Sequence, residues 1–154
     1  MKRTLLLVTV VLLAAAPASA WGGSGSILIR PSEGPSPQRQ AAVRGWLDGA
    51  RAELTELMAG WAGARRDLDR WPRRGTVPGC RALARAVPGF DAERLRPAPD
   101  ARLGAALAET VWRLGEGAES CLADRYFDAA FHLEEATKAY LRLARGLRRY
   151  GLEP

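Results

Sequence analysis

The residues of this chain with the most specific chemistry are Cys80 and Cys121, its only two thiols, with forty residues between them. In an oxidising compartment such a pair becomes a disulfide. Redox-active pairs are usually close in sequence, as in C-x-x-C, and structural zinc wants four ligands at short, regular spacings. His132 is the only histidine, so two Cys and one His on scattered elements fall short of a metal site. A crosslink, with no metal and no cofactor, is the expectation.

His132 has Glu134 and Glu135 as near neighbours, a set that could hold a metal or do acid-base work. The apolar pattern around it puts His132 on the wet face of its helix, away from Ala130, Leu133 and Thr137. Met58 and His132 are the one pair that could hold a haem in a bundle core. There is no C-x-x-C-H for covalent haem, and an outward His132 would not reach a core. G-x-S-x-G, a phosphate-binding glycine loop and H-E-x-x-H are likewise missing. The chain reads as a binding protein and not an enzyme. Trp46, Trp61, Trp71 and Trp112, with Tyr126, Phe127, Phe131 and Tyr140, could line a groove for a small ligand. Their helical spacing predicts packed core instead.

Arginine supplies the remaining candidates. One cluster comprises Arg65, Arg66, Arg70, Arg73 and Arg74, with Arg81 and Arg85 following; the other comprises Arg142, Arg145, Arg148 and Arg149. Guanidinium groups suit phosphate and carboxylate, so the first cluster is a candidate anion or partner contact. Cations at helix C-termini also have a purely structural cause in the helix dipole. Without Lys2 and Arg3, 21 basic residues stand against 17 acidic ones, a net charge of +4. That is too mild an excess for a nucleic-acid binder.

The order of elements must position these residues. Met1-Lys2-Arg3, an apolar run of twelve residues from Leu5 to Ala16, and Pro17-Ala18-Ser19-Ala20 read as a secretory leader cleaved after Ala20. A membrane span needs about 17–25 apolar residues, so the run predicts export to the periplasm or beyond and no stable membrane insertion. Residues 21–37, WGGSGSILIRPSEGPSP, are too rich in Gly, Ser and Pro to fix a backbone and predict a flexible tail. Residues 38–151 hold the domain.

From Gln38 the residues Val43, Leu47, Ala50, Leu54, Leu57, Trp61, Ala64, Leu68 and Trp71 recur at alternating steps of four and three, one stripe down a single long helix. Pro72 and Gly75 stop it, and Gly45, Gly49, Gly60 and Gly63 would bend it or let a neighbour approach. Pro78 to Pro88 predicts a short second helix, and Gly89 to Pro99 an extended return. Asp100 is a good N-cap for a third helix with Leu103, Leu107, Val111, Leu114, Ala118 and Cys121 on its apolar face. A fourth starts near Asp124 or Arg125 and runs to Gly151, presenting Tyr126, Ala130, Leu133, Thr137, Tyr140, Ala144 and Leu147, with Phe127, Phe131 and Leu141 widening that face.

The segment from Ala118 to Ala136 resembles the turn of a tetratricopeptide-type hairpin, with Asp124, Tyr126, Ala129 or Ala130, Leu133 and Ala136 in the turn, aromatic, Ala, Leu and Ala places. The likeness is local and does not repeat. It implies an antiparallel helix pair turning near Ala123.

A Cys80–Cys121 bond requires Cα atoms within about 7 Å, which brings the end of the first helix to the end of the third. An all-α, up-down-up-down bundle with a short, Pro-interrupted second helix follows, and it sends the two arginine clusters to opposite ends. The expected function is that of a binding or accessory module in the cell envelope, with another envelope protein as partner and no nucleic acid. A small-ligand or haem carrier is the alternative.

Overall fold

The computed structural model describes residues 34–71, 77–90 and 97–153. The leader, the tail up to residue 33, and Arg73 and Arg74 lie outside the described residues. Among them the fold is all-α: α1 (Pro37–Gly49), α2 (Arg51–Asp69), α3 (Pro78–Ala86), α4 (Ala101–Leu122) and α5 (Tyr126–Arg148), with one 3-10 turn at Val87–Phe90.

The first predicted helix is two helices. Ser36 caps α1, its Oγ accepting the Arg39 N–H at 3.3 Å, and Pro37, placed by the sequence pattern at the end of the tail, is its first residue. The helical backbone breaks at Ala50, φ −102° and ψ 3°, directly after Gly49. Unbroken, thirty-odd residues would run about 50 Å, past partners of about 34 Å. The break instead buries Val43 and Leu47 in the common core and lets Arg39 come within 3.9 Å of Asp100 at the start of α4.

Where α2 meets α3 the backbones touch. A Cβ on Gly60 would lie 2.8 Å from Leu83 Cα, and one on Gly63 2.8 Å from Gly79 Cα. A Cβ on Gly79 would fall on the Gly63 carbonyl carbon. Matched against α3, rising numbers on α2 meet falling ones, so the pair is antiparallel. No side chain of α3 caps its own first turn; Asp67 of α2 does so, its Oδ2 accepting the Cys80 N–H at 3.0 Å. Pro88, which cannot donate, ends the α-helical ladder. Gly89 and Phe90, expected to be extended, complete the 3-10 turn and bury the Phe90 ring.

Asp100 caps α4 by accepting the Arg102 N–H at 2.8 Å. The turn into α5 is a Schellman closure: Arg125 N–H donates to Ser120 O at 2.9 Å and Asp124 N–H to Cys121 O at 3.2 Å. Asp124 sits there at φ 63°, a place that usually goes to glycine. The same bonds close α5, Leu152 N–H to Leu147 O and Gly151 N–H to Arg148 O, with Gly151 at φ 69°. Along the hairpin Leu103 meets Gly146, Glu109 meets Arg142 and Gly117 meets Leu133, so α4 and α5 are antiparallel about a turn at Ala123.

Leu57, Leu83, Leu114, Leu133, Leu143 and Leu147 are fully buried, each worth about 1.5–3 kcal/mol in area terms. The inner face of α5 is not the expected one. Ala129, Ala136, Ala139 and Leu143 are buried beside Leu133 and Leu147, while Tyr126, Ala130, Thr137 and Tyr140 are half-buried. Small alanines let α5 lie close to its neighbours, and the helix turns accordingly. On α4, Val111 is half-buried, and Thr110 takes the interior place with its hydroxyl donating to Ala106 O at 2.8 Å.

Candidate functional site

Cys80 on α3 and Cys121 on α4 are joined as a disulfide, their Cα atoms 6.2 Å apart. Both are buried, so the pair is a staple between two helices.

Met58 and His132 are not brought together. Arg65 faces Thr137 and Trp71 stacks against Tyr126, so α2 and α5 run antiparallel and Met58 lies at the level of Tyr140, sharing a groove with it. His132 is eight residues from Tyr140, about 12 Å along the helix, and lies against Gly117 of α4. The expected wet position is also wrong: His132 is half-buried, and its Nδ1 is enclosed without a hydrogen-bond partner among the described residues. The alanine-faced helix has turned it into the α4–α5 seam. No group of three or more His, Cys, Asp or Glu side chains suited to a metal occurs among the described residues.

Of the first arginine cluster, Arg65, Arg66 and Arg70 are exposed on the last turns of α2, and Arg65 donates to Thr137 Oγ1 at 3.5 Å. Arg142 pairs with Glu109 at 2.6 Å, and Arg145 donates to Leu141 O. Because α2 and α5 run in opposite directions, Arg65, Arg66 and Arg70 lie at the opposite end from Arg142, Arg145, Arg148 and Arg149, and these described members of the two clusters do not make one basic surface.

Two of the concavities among the described residues bear on binding. An open cleft of about 820 Å³ includes Arg39, Asp100, Arg102, Arg149 and Tyr150 in its wall. Its centre is an internal bond, Tyr150 Oη donating to Asp100 Oδ2 at 2.6 Å. That bond holds the Asp100 carboxyl below its ordinary value, aided by the Arg102 and Leu103 N–H groups and the Arg39 charge and opposed by burial. The same bond, with burial, raises the Tyr150 hydroxyl. A second, apolar groove of about 360 Å³ lies between α2 and α5, walled by Leu54, Met58, Tyr140, Leu143 and Leu147. Burial raises the Tyr140 hydroxyl there.

The surface without an internal explanation is the outer face of α5. Phe127 is 84 % exposed, Phe131 56 % and Leu141 49 %, and Leu122 at the turn is 44 % exposed. Phe127, Phe131 and Leu141 were expected to widen the core face; the chain has instead two stripes on α5, an inner one of Ala and Leu and an outer one mixed with charge. Phe127, Phe131, Glu134, Lys138, Leu141 and Arg145 follow one another at steps of four and three, so they form one line along the helix. Lys138 Nζ lies 2.7 Å from Glu135 Oε1 and 3.5 Å from Glu134 Oε1. That pairing lowers the Glu135 carboxyl and raises the Lys138 ammonium. Trp112 of α4, expected in the core, is also exposed and carries the Arg113 guanidinium 4.3 Å over its ring. The alternating spacing of the outer stripe was present in the sequence, but the larger side chains were credited to the interior.

No helix among the described residues is long and apolar enough to cross a membrane. Comparison with family models, with curated proteins and with solved structures finds no match for the chain.

Proposed function

We propose that this chain is an exported binding module of the cell envelope that docks another protein and does not turn over a substrate. One observation carries the reading: Phe127 and Phe131, one helical turn apart, stand 84 % and 56 % exposed. Aromatic side chains gathered on one face of a soluble domain mark interaction surfaces. Export rests on the leader pattern that ends at Ala20 and is in keeping with the disulfide.

A photoactivatable residue placed at Phe131 in the exported chain tests this. Protein adducts should form from position 131 and not from Ala108, an exposed position on α4. Equal yields from both positions, or none from either, would reject the reading.

The groove at Met58 and Tyr140 supports a second reading, carriage of a small apolar molecule. Native mass spectrometry of the purified chain distinguishes it: a bound small molecule, lost in a Met58→Arg variant, is required. Haem is a poor candidate for that cargo, because Met58 and His132 do not converge.

A further inference from the structure

We propose that the outer face of α5 docks a second copy of this chain, the two α5 helices lying antiparallel about a twofold axis that passes between Glu134 and Lys138. The proposal rests on the reading of this face as a protein-docking surface and makes its occupant a second copy of the chain in place of a different protein.

The order of residues along the stripe selects the partner. Phe127, Phe131, Glu134, Lys138, Leu141 and Arg145 keep to steps of four and three, the spacing that lets one helix lie along another. About 27 Å of helix separates the first from the last. In an antiparallel pair related by a twofold axis, the first residue of one stripe meets the last of the other. Phe127 then meets Arg145 of the second copy, an aromatic face against a guanidinium. Phe131 meets Leu141, burying two side chains that are 56 % and 49 % exposed in the single chain. Glu134 meets Lys138, anion against cation, and symmetry repeats every contact.

The reverse orientation fails on the same residues. In a parallel pair each side chain would face its own copy, Glu134 against Glu134, Lys138 against Lys138 and Arg145 against Arg145. Like charges directly opposed across an interface are unfavourable. Flanking charge agrees with the antiparallel choice, since Asp128 lies in the first half of the helix and Arg142 in the second. The Lys138 ammonium, now shared between Glu134 and Glu135 of its own chain, is 54 % exposed at its side chain and can keep Glu135 while meeting Glu134 of the second copy. Three apolar side chains per copy make a small interface, of the kind found in weak and reversible complexes.

Charge exchange tests the pairing by sedimentation equilibrium of the purified, exported chain at low salt. The wild type should dimerise in the micromolar range. Glu134→Lys alone and Lys138→Glu alone should each weaken self-association at least tenfold. The double exchange should restore it, and an equimolar mixture of the two single variants should associate more tightly than either alone. Thermal melts of all variants at dilutions where the chain is monomeric should coincide, since these side chains are exposed. A wild type that stays monomeric at several hundred micromolar overturns the proposal, as do single variants that associate like the wild type. The photoactivatable residue at Phe131 separates the two levels. Adducts with a different protein and a monomeric purified chain would sink the pairing and leave the docking surface, whereas no adduct at all would sink both.

Discussion

The Asp67 carboxylate on α2 accepts the Cys80 amide of α3 at 3.0 Å, so the residue that forms the disulfide is also held through its backbone by the helix on its other side. Three helices are gathered at this residue: α2 through Asp67, α3 through the chain itself, and α4 through Cys121. The first turn of α3, otherwise without a side-chain cap, gets its acceptor from thirteen residues upstream.

Asp67→Ala should therefore act as the loss of a helix cap, costing about 1 kcal/mol within a usual range of about 0.5–2. Urea unfolding of the oxidised protein measures it. A variant as stable as the wild type would mean that the Cys80 amide finds water at no cost.

Removing the crosslink should cost more. The bonded cysteines are 41 residues apart in sequence, and in the chain-entropy model a loop of that length contributes about 4 kcal/mol. Cys80→Ser with Cys121→Ser, compared with the wild type in urea, gives the difference. With no reductant, alkylation of the protein unfolded in urea should find neither thiol.

Gly79 has its α-carbon in the space a side chain would need from Gly63. Gly79→Ala must push α2 and α3 apart and should destabilise by about 1–3 kcal/mol, as overpacking does. Gly45→Ala is the contrast, since nothing lies within 4 Å of its would-be Cβ; in a helix interior it should gain about 0.5–1 kcal/mol. Thermal melts of the pair separate close contact from helix propensity.

Asp124, at φ 63°, occupies a conformation that disfavours most L-residues. Asp124→Gly should raise stability by about 0.5–1 kcal/mol, read as a higher unfolding temperature with unchanged helicity. A fall would show that the Asp124 side chain has a bond worth more than the strain.

The Tyr150–Asp100 bond predicts a pH profile with two edges. Asp100 titrates below its ordinary 3.8 in the folded protein. Its contribution is therefore present above that value and disappears as pH falls through the folded value. Tyr150 titrates above 10.0, so its contribution holds below that value and fades as pH rises through the folded one. Tyr150→Phe should lose about 1–2 kcal/mol at pH 7. The gap between it and the wild type should close in acid below about pH 4 and in alkali above about pH 10. A gap that is constant with pH would show that the hydroxyl acts only by packing.

Local signals in the sequence carried much of the fold. Asp100 before α4, Gly151 after α5 and the prolines around α3 each act on neighbouring backbone, so their meaning survives without tertiary information. The hairpin implied by the stretch from Ala118 to Ala136 is present with its turn at Ala123. The break at Ala50 was half legible: Gly49 before it marked one of four places to bend, but alanine is the best helix former, the apolar stripe runs through it in phase, and only the length of the partner helices makes a break necessary. Asp67 was illegible because its acceptor role belongs to a contact between helices.

The exposed outer face of α5 was hidden by a different rule. Large apolar residues on a helix are read as interior, and Phe127, Phe131 and Leu141 were credited to the core for that reason. What decided the inner face was the backbone spacing permitted by Ala129, Ala136 and Ala139. Two stripes of similar period shared α5, and side-chain size pointed to the wrong one. His132 followed the same error by a fraction of a turn.

The Cys80–Cys121 bond also makes a covalent ring of the chain between them. A protease cut at any peptide bond within that ring opens it without parting the molecule: α1, α2 and α3 stay tethered to α4 and α5 through sulfur. Such a nicked chain would travel as one species without reductant and as two fragments with it. Wherever the disulfide stays oxidised, a single cut there would damage the protein without dispersing it.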